Sequence, residues 1–291
     1  MKILVTGAAG FAGSYIAASL YGNGHEVIGL MRKSPHGACP FRVLVHDLSQ
    51  PFEIAESIDA IVHTAGAHPG STVAQLKRDN IDTMQNIVAF ARRHMIPKVI
   101  YLSTISIYGT VQSDFINEDT DIINPNVYDV TKYLAERLLL EQTGIHGICL
   151  RLPGIFGYGA TKSWLVNITK QICADRGVTI YAPDFLSNNF VYVKDLANFV
   201  GLLLSKENTE SIYLLGAQQR ITVLDLVYGI KQQARSSAEI HIGDAPKVPF
   251  FLDVRRAVDS GFCSTTPLEM VADYFKETPN KSHRPMQSLF P

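Results

Sequence analysis

A glycine-rich turn near the N-terminus constrains the fold of this chain more than any other feature. Gly7, Gly10 and Gly13 have the spacing GxxGxxG, between a short apolar run at 2–6 and an amphipathic stretch that begins at Phe11. Such a turn between strand and helix lets backbone amides approach phosphates, and the helix N-terminus faces their charge. We therefore expect a dinucleotide pyrophosphate here, beside Phe11 and Ala12.

The first half of the chain alternates between strand and helix patterns. Strand patterns occur at 2–6, 26–31, 41–45, 60–63, 98–102 and 146–150, and helix patterns at 11–21, 73–94 and 126–142. This alternation predicts an α/β protein with a Rossmann-type, doubly wound parallel sheet. Residues 1–152 are thus predicted to form the dinucleotide-binding domain.

The second half is less regular, because prolines, glycines and asparagines interrupt the pattern after Arg151. Short strands are predicted at 178–181, 190–193, 212–215 and 239–242, and helices at 162–174, 195–205, 223–233 and 267–275. Residues 153–291 are therefore predicted to be mainly a smaller, mixed α/β substrate-binding part. Residues 188–206 are expected to return to the first domain, and 276–291 to be a poorly ordered polar tail.

Charge and composition exclude several classes of protein. The net charge of −1 offers no basic excess for nucleic acid or an anionic membrane. The opening apolar run is too short for a signal peptide or a membrane span. The four cysteines are widely spaced without a CxxC, and His63 and His68 lack a ligand cluster, so reduced thiols and no metal are expected. We expect a cytoplasmic protein with a small-molecule substrate.

The end of the second strand bears on which dinucleotide binds. NAD sites usually place a carboxylate there, but this chain has Met31, Arg32 and Lys33. Arg32 and Lys33 are suited to neutralise a 2′-phosphate, so NADP(H) is favoured and NAD(H) is the alternative. The pair also fits two solvated loop cations. Asp47, followed by Leu48, is expected to hydrogen-bond the adenine amino group; the alternative is that it caps a turn.

Small residues at the ends of two further strands extend the expected site. Thr64, Ala65 and Gly66 follow the fourth strand, and Ser103 follows the fifth. Ligands bind at the carboxyl ends of parallel strands, so all four are expected to contact the dinucleotide. Asn80, on the long helix pattern between these strands, is expected either to order the site or to pack in the helix interior.

A tyrosine and a lysine supply the expected chemistry. Tyr128 and Lys132 are four residues apart on a predicted helix and share one face. A nearby ammonium and an oxidised nicotinamide stabilise a phenolate, so Tyr128 is expected to move a proton at an alcohol or ketone. Lys132 also suits the cofactor ribose. Thr104 is expected to hydrogen-bond the substrate oxygen, with Ser103 and Ser106 as neighbours able to substitute; capping of the strand end is the alternative for the pair Ser103 and Thr104.

Taken together, these motifs resemble the extended short-chain dehydrogenase/reductase family, also called the NAD-dependent epimerase/dehydratase family. The resemblance is carried by TGAAGFAGS (6–14), HTAG (63–66), LSTISIYG (102–109), YDVTK (128–132), RLPGIFG (151–157), NFVYVKDLA (189–197) and the late pattern Asp253…Pro267-Leu268-Glu269. It implies that Thr104, Tyr128 and Lys132 are the Ser/Thr–Tyr–Lys triad. It also implies that Pro153 to Ile155 lie near the nicotinamide, and that helices 73–94 and 126–142 form a dimeric four-helix bundle.

The sequence departs from this family in ways that narrow the reaction. Related 4,6-dehydratases have an Asp-Glu pair after the catalytic Thr, where this chain has Ile105 and Ser106. Relatives that epimerise C3 and C5 have a Cys in place of Ser106. The family's Asn after the sixth strand is Gly154, and a basic residue is replaced at Asn188-Asn189. The last two changes disfavour standard nucleotide-diphosphate recognition.

Several functions are compatible with these residues. The leading hypothesis is an NADPH-dependent reductase of a nucleotide-linked 4-keto-6-deoxy sugar, because the triad is intact, the dehydratase acids are missing and Arg32-Lys33 is present. The alternative is a nucleotide-sugar 4-epimerase with retained NAD. A reductase of a small non-sugar carbonyl and a non-catalytic NADP(H)-sensing scaffold are further alternatives. A homodimer is expected from the resemblance.

Overall fold

A computed structural model describes residues 1–35, 39–207, 210–244 and 249–277 of the chain. Its strands are β1 (Lys2–Thr6), β2 (Glu26–Met31), β3 (Arg42–Val45), β4 (Ala60–His63), β5 (Lys98–Thr104), β6 (Phe115–Ile116), β7 (His146–Leu152), β8 (Gly154–Phe156), β9 (Val178–Tyr181), β10 (Leu186–Ser187), β11 (Phe190–Tyr192), β12 (Ile212–Leu214), β13 (Ile221–Thr222), β14 (Ile240–Gly243) and β15 (Phe251–Leu252).

The central sheet has seven parallel strands in the order β12-β7-β5-β4-β1-β2-β3. The strand order reverses at β1, so the ends of β1 and β4 flank a crevice in which ligands bind in such sheets. The predicted Rossmann-type sheet is confirmed. β5 and β7 extend two residues past their predicted ends, which makes Ser103 and Thr104 the last residues of β5.

Helices cover both faces of this sheet. They are α1 (Phe11–Gly22), α2 (Val73–Leu76), α3 (Thr83–Arg93), α4 (Val127–Leu140), α5 (Trp164–Cys173), α6 (Val193–Ser205), α7 (Val223–Ala234), α8 (Arg255–Asp259) and α9 (Pro267–Glu277). Buried side chains of α1 and α6 pack on one face, and those of α3 and α4 on the other. The strands are therefore apolar on both sides, as their continuous hydrophobic runs predicted.

The predicted long helix over 73–94 is interrupted by a π-helical segment, Lys77–Asp82, between α2 and α3. Such segments widen the helix and re-aim side chains, frequently at functional sites. A 3₁₀ turn, Ile105–Tyr108, follows β5 directly. Both irregular segments contribute polar side chains to the crevice described below.

The second half of the chain packs around its own apolar cluster, formed by α5, α7, α9 and short strands. Two-residue strands β6, β10, β13 and β15 and the short helix α8 were not predicted, because two to five residues carry too little periodicity. β12 leaves this part to pair with β7 in the central sheet, and α6 packs against α1. The predicted polar tail lies outside the described residues beyond Glu277, where α9 ends.

Candidate active site

The turn after β1 is built from close backbone contacts that only glycine permits. Gly7 has φ +69°, and a Cβ there would lie 2.7 Å from the Ala65 backbone nitrogen. A Cβ on Gly13 would lie 2.2 Å from the Gly7 carbonyl oxygen, so α1 packs directly against the turn. The Gly10 amide donates to the Gly7 carbonyl at 2.8 Å.

Gly10 is also the N-cap of α1, and no side chain caps this end. The first amides of α1 therefore remain available, which is the arrangement that receives phosphate. Phe11 and Ala12, the first two residues of α1, lie at this end as predicted. A dinucleotide pyrophosphate fits this end of α1, because its amides carry no side-chain cap and the helix dipole favours negative charge there.

A cavity of about 770 Å³ opens beside this turn at the carboxyl edge of the sheet. Most of the predicted dinucleotide residues line it: Gly7, Gly10, Arg32, Lys33, Asp47, Leu48, Thr64, Ala65 and Gly66. Six further lining residues were not among the predicted contacts: Ala9, Leu30, Met31, His46, Asp79 and Thr83. The predicted contacts Phe11, Ala12, Gly13, Ser103, Tyr128, Lys132, Pro153 and Ile155 lie outside the lining of this cavity.

Asp79 brings a carboxylate to the cavity that the sequence did not indicate. It lies in the π-helical segment, and its Oδ2 accepts a contact from Arg32 Nη1 at 3.4 Å, while Oδ1 accepts from Arg78 Nε at 2.7 Å. Its side chain is 15% exposed, against 62% for Arg32. Arg32 thus pairs with an acid on the cavity wall, while most of its side chain is exposed.

Asp47 caps a turn, which is the alternative anticipated for it, and its expected hydrogen bond to adenine remains a prediction. Its Oδ1 accepts the Ser49 amide at 3.0 Å, which caps a turn, and its side chain lines the cavity. This amide hydrogen bond is the main reason that the pKa of Asp47 lies below its usual range, with smaller effects from Arg78 and Arg32. The carboxylate is therefore ionised and placed to accept a hydrogen bond from a ligand.

Asn80 orders the loop after β4. Its Oδ1 accepts the Ala67 amide at 2.9 Å, and its Nδ2 donates to Thr131 Oγ1 at 2.9 Å. The side chain thus connects the loop containing Gly66 to helix α4. Of the two roles anticipated for Asn80, ordering of the site is the one observed.

Lys132 is buried beneath the crevice. Its Nζ donates to the Leu102 carbonyl at 2.7 Å and lies 4.1 Å from the centre of the Tyr101 ring. Burial lowers the pKa of Lys132 from 10.5 to about 7, against the opposing effect of Glu136. The amine is thus poised between its charged and neutral forms.

Tyr128 lies in the first turn of α4, where Asn126 and Asp129 form a capping box. Burial, followed by the neighbouring Asp129 charge, raises the pKa of Tyr128 to about 12. Both of these effects raise the pKa of Tyr128, and the expected stabilisation of its phenolate by Lys132 remains a prediction. A phenolate at this position therefore needs further positive charge.

Thr104 ends β5 and is the N-cap of the 3₁₀ turn. Its Oγ1 accepts the Ser106 amide at 3.2 Å and lies 2.9 Å from Ser106 Oγ, which in turn donates to Asp129 Oδ1. Ser103 is buried, and among the described residues its hydroxyl has no hydrogen-bond partner. The Thr104 and Ser106 hydroxyls therefore lie together at the end of β5 and connect it to the start of α4.

The glycine turn, the cavity and these side chains agree with a family model. The model described as NAD dependent epimerase/dehydratase family matches residues 3–216. This chain belongs to that family.

Two curated relatives are similar to this chain over most of its length. The chain is 27% identical over 274 residues to the "Uncharacterized UDP-glucose epimerase YtcB" of Bacillus subtilis (strain 168), covering 84% of this chain and 85% of the relative. It is 29% identical over 265 residues to "UDP-glucuronic acid decarboxylase 1" of Danio rerio, covering 82% of this chain but only 62% of that relative.

The structural similarity is to UDP-glucuronic acid 4-epimerase from Bacillus cereus, solved in complex with NAD. The TM-score is 0.81 at 21% identity, covering 95% of this chain and 98% of the other. The extended short-chain dehydrogenase/reductase fold predicted from the motifs is thereby confirmed. Within the described residues, no helix combines the length and apolarity needed to cross a membrane.

The departures from the epimerase/dehydratase family pattern have structural causes. A Cβ on Gly154 would lie 2.9 Å from Ser163 Cβ, so the family's Asn has no room there. Asn188 is buried and joins the segments that contain Ala217 and Leu252. Its Nδ2 donates to both of their carbonyls, and its Oδ1 accepts the Leu252 amide. The Asn188 side chain is thus engaged within the protein, and Gly154 packs directly against the start of α5.

Pro153 and Ile155 flank Gly154 between the central sheet and the second half of the chain. Ile155 belongs to β8, which pairs with β11, and it packs against both neighbouring apolar clusters. Their expected contact with a nicotinamide remains a prediction.

Proposed function

We propose that this enzyme is a nucleotide-sugar 4-epimerase that retains NAD(H). The observation that supports the proposal is the contact of the Thr104 and Ser106 hydroxyls, at the carboxyl end of β5, with the start of α4, the helix that carries Tyr128 and the buried Lys132. The glycine turn after β1 suits a dinucleotide. These groups suit reversible oxidation at one carbon of an alcohol. The relatives and neighbours named as epimerases support C4 of a nucleotide sugar as that carbon.

Tyr128, Thr104 and Lys132 each have a distinct role in the proposed reaction. A nicotinamide dinucleotide bound along Gly7 to Gly13 supplies a hydride acceptor and donor. Tyr128 takes the proton of the substrate hydroxyl and later returns it to the ketone oxygen. Thr104 hydrogen-bonds the same oxygen as its charge develops. The Lys132 ammonium favours the Tyr128 phenolate by its charge.

The cavity supports NAD(H) through Asp79. A carboxylate near the end of β2 normally accepts the adenosine ribose hydroxyls in NAD sites. Here the β2 end lacks an acid, but Asp79 supplies one from the π-helical segment and pairs with Arg32. A 2′-phosphate in the same place would be repelled by this carboxylate.

A turnover assay tests the proposal. UDP-glucose and UDP-glucuronic acid are each incubated with the protein and catalytic NAD, and the C4 epimer is followed by proton NMR. We expect interconversion without net cofactor consumption. Tyr128→Phe should reduce it by about 10²- to 10⁴-fold, whereas Tyr133→Phe on the same helix should leave it near the native rate. Stoichiometric NADPH oxidation by a 4-keto-6-deoxy sugar, without epimer formation, would contradict the proposal.

The second candidate function is an NADPH-dependent reductase of a nucleotide-linked 4-keto-6-deoxy sugar. Arg32 and Lys33 line the cavity and favour it, since both cations are within the wall that faces the adenosine end. The outcome of the same assay with NADPH and a 4-keto sugar separates the two candidates.

We also infer a homodimer formed through α4. Val127, Val130 and Leu134 are spaced i, i+3 and i+7, so they share a face, and they are 50%, 38% and 44% exposed. A second copy packed against this face would cover them. Light scattering on a size-exclusion column tests the inference, and a monomeric mass would contradict it.

A further inference from the structure

Asp129, the residue after Tyr128, directs its carboxylate towards the reacting end of β5. It is 2% exposed and is the third residue of α4. Its Oδ2 accepts the Asn126 amide at 3.2 Å, and its own amide donates to Asn126 Oδ1 at 3.1 Å. Its Oδ1 accepts the hydroxyl of Ser106. The capping box therefore fixes the carboxylate, and Ser106 connects it to the site.

Ser106 carries the connection on to Thr104. The two hydroxyl oxygens are 2.9 Å apart, and the Ser106 amide already donates to Thr104 Oγ1 at 3.2 Å. Each hydroxyl has one proton, and an ionised carboxylate can only accept. When Asp129 is ionised, Ser106 donates to Asp129, so Thr104 must donate to Ser106. The single Thr104 proton is then directed away from the substrate.

Protonation of Asp129 reverses the direction of this chain of hydrogen bonds. A neutral carboxyl donates to Ser106, Ser106 donates to Thr104 Oγ1, and the Thr104 proton is released towards the crevice. Only this arrangement lets Thr104 donate to a ketone oxygen, which has no proton of its own. The two arrangements use the same atoms and differ only in the positions of the protons.

We propose that Asp129, acting through Ser106, sets the direction of the Thr104 hydroxyl proton and thereby decides whether Thr104 donates to the substrate oxygen. The inference rests on the proposed role of Thr104 at that oxygen. Asp129 is a positioning residue, because it reaches the substrate only through two hydroxyl groups.

The surroundings of Asp129 shift its carboxyl towards the neutral form. Burial raises the pKa of the Asp129 carboxyl, while its hydrogen bonds from Ser106 and Asn126 oppose this effect. Tyr128 is the adjacent titratable group, and the Asp129 charge raises its pKa in turn. Loss of the Asp129 charge therefore also makes the neighbouring phenol easier to ionise.

Carbon-13 NMR of labelled aspartate tests the connection without substrate or cofactor. The Asp129 carboxyl signal, assigned by its loss in Asp129→Asn, is titrated in the native protein, in Thr104→Val and in Thr120→Val. If Thr104 donates into the chain, Thr104→Val should raise the midpoint by ~0.1–0.6 pH units. Thr120→Val, which removes a hydroxyl from a loop contact with Asn117, should not. An unchanged midpoint in Thr104→Val would overturn the proposal.

The pH dependence of turnover tests the consequence. With UDP-glucose, the native rate should fall about 10- to 100-fold as Asp129 ionises, since a donor to the ketone oxygen is lost. Asp129→Asn donates to Ser106 at every pH, and Ser106→Ala breaks the chain, so both variants should lack this fall. A fall retained in both variants would overturn the proposal. Absence of turnover with any nucleotide sugar would refute the proposed function instead, and the NMR titration would still decide the hydrogen-bond chain.

Discussion

Lys132 illustrates how one buried side chain links pH to stability. Its pKa falls from 10.5 to about 7 on burial, so between these values the folded protein binds fewer protons than the unfolded chain. The contribution of Lys132 to the free energy of unfolding therefore rises with pH across this window. Below pH 7, the cost of burying the charged amine is present in full.

Lys132→Met should remove this pH dependence. We expect the free energy of unfolding of the variant, relative to the native protein, to be more favourable at pH 6 than at pH 10 by on the order of 1–3 kcal/mol. The lost hydrogen bond to Leu102 costs the same at each pH and does not affect the comparison. Urea unfolding at both pH values measures the difference, and equal differences would contradict the shifted pKa.

Asp79 should govern cofactor preference. Asp79→Asn removes the charge that repels a 2′-phosphate and releases Arg32 to bind one. We expect the ratio of the NADPH to NADH dissociation constants to shift about tenfold towards NADPH, or ~1.4 kcal/mol. Fluorescence titration of both nucleotides measures this ratio.

Asp82→Asn is the matched control for Asp79. Asp82 ends the same π-helical segment but pairs with Lys77 and lies outside the cavity lining. The ratio should not change in this control. An equal shift in both variants would mean that general charge, rather than the Asp79–Arg32 contact, sets the preference.

At the scale of elements, Lys98 of β5 caps the C-terminus of α6, a helix that packs on one face of the central sheet. Lys98 Nζ donates to the carbonyls of Leu203, Leu204 and Lys206 at 2.8, 3.4 and 2.7 Å, at the C-terminus of α6. The last carbonyls of a helix are satisfied by groups from outside the helical ladder, and a cation at this end also interacts favourably with the helix dipole.

Lys98→Met should therefore destabilise the protein by about 1–2 kcal/mol. Lys170→Met is a suitable comparison, because Lys170 is exposed and donates to a single carbonyl, that of Thr161. We expect its effect to stay within ~0.5 kcal/mol. Thermal or urea unfolding of the two variants provides the measurement, and similar losses in both would argue against a capping role.

The sequence predicted those elements that are long and periodic. The strands of the central sheet and helices α1, α3 and α4 were all anticipated, because each carries a continuous apolar run or a helical stripe. The glycine turn was predictable for a different reason: its spacing is imposed by backbone contacts that a Cβ would block. The two-residue strands carry no such signal.

The candidate site was predictable only where it follows motifs. Tyr128, Lys132 and Thr104 were anticipated together, but Asp79 and Asp129 were not. Asp79 reaches the cavity because the π-helical segment re-aims its side chain, and a 3.6-residue periodicity does not predict such a segment. The local sequence around Asp129 indicates only a helix-capping residue. Its contact with Ser106 depends on how α4 packs beside β5, which the sequence does not specify.

At the scale of the whole molecule, one buried ion pair joins several elements. Glu136 of α4 is fully buried and accepts hydrogen bonds from Arg151 of β7, with Nη2 at 2.8 Å. Arg151 Nη1 also donates to the Tyr108 hydroxyl and to the Glu118 carbonyl. Glu118 in turn accepts the Leu214 amide of β12. Helix α4 is thus fixed to the sheet that carries the site.

Glu136→Gln should destabilise the protein by about 3 kcal/mol or more, because it leaves the buried Arg151 charge without its partner. Glu141→Gln, on the same helix, breaks only an exposed pair with Arg137 and should cost less than ~1 kcal/mol. Urea unfolding at neutral pH compares the two. A small effect of Glu136→Gln would mean that water or another group compensates the arginine.

The contact between Gly154 and Ser163 means that the size of the residue at one position limits the size of the residue at the other. A side chain at 154 requires the start of α5 to move, or a smaller residue at 163. Reintroduction of the family's asparagine at 154 alone should therefore be tolerated poorly, whereas paired exchange with glycine at 163 restores the space. Thermal unfolding of the single and the paired variants measures this coupling.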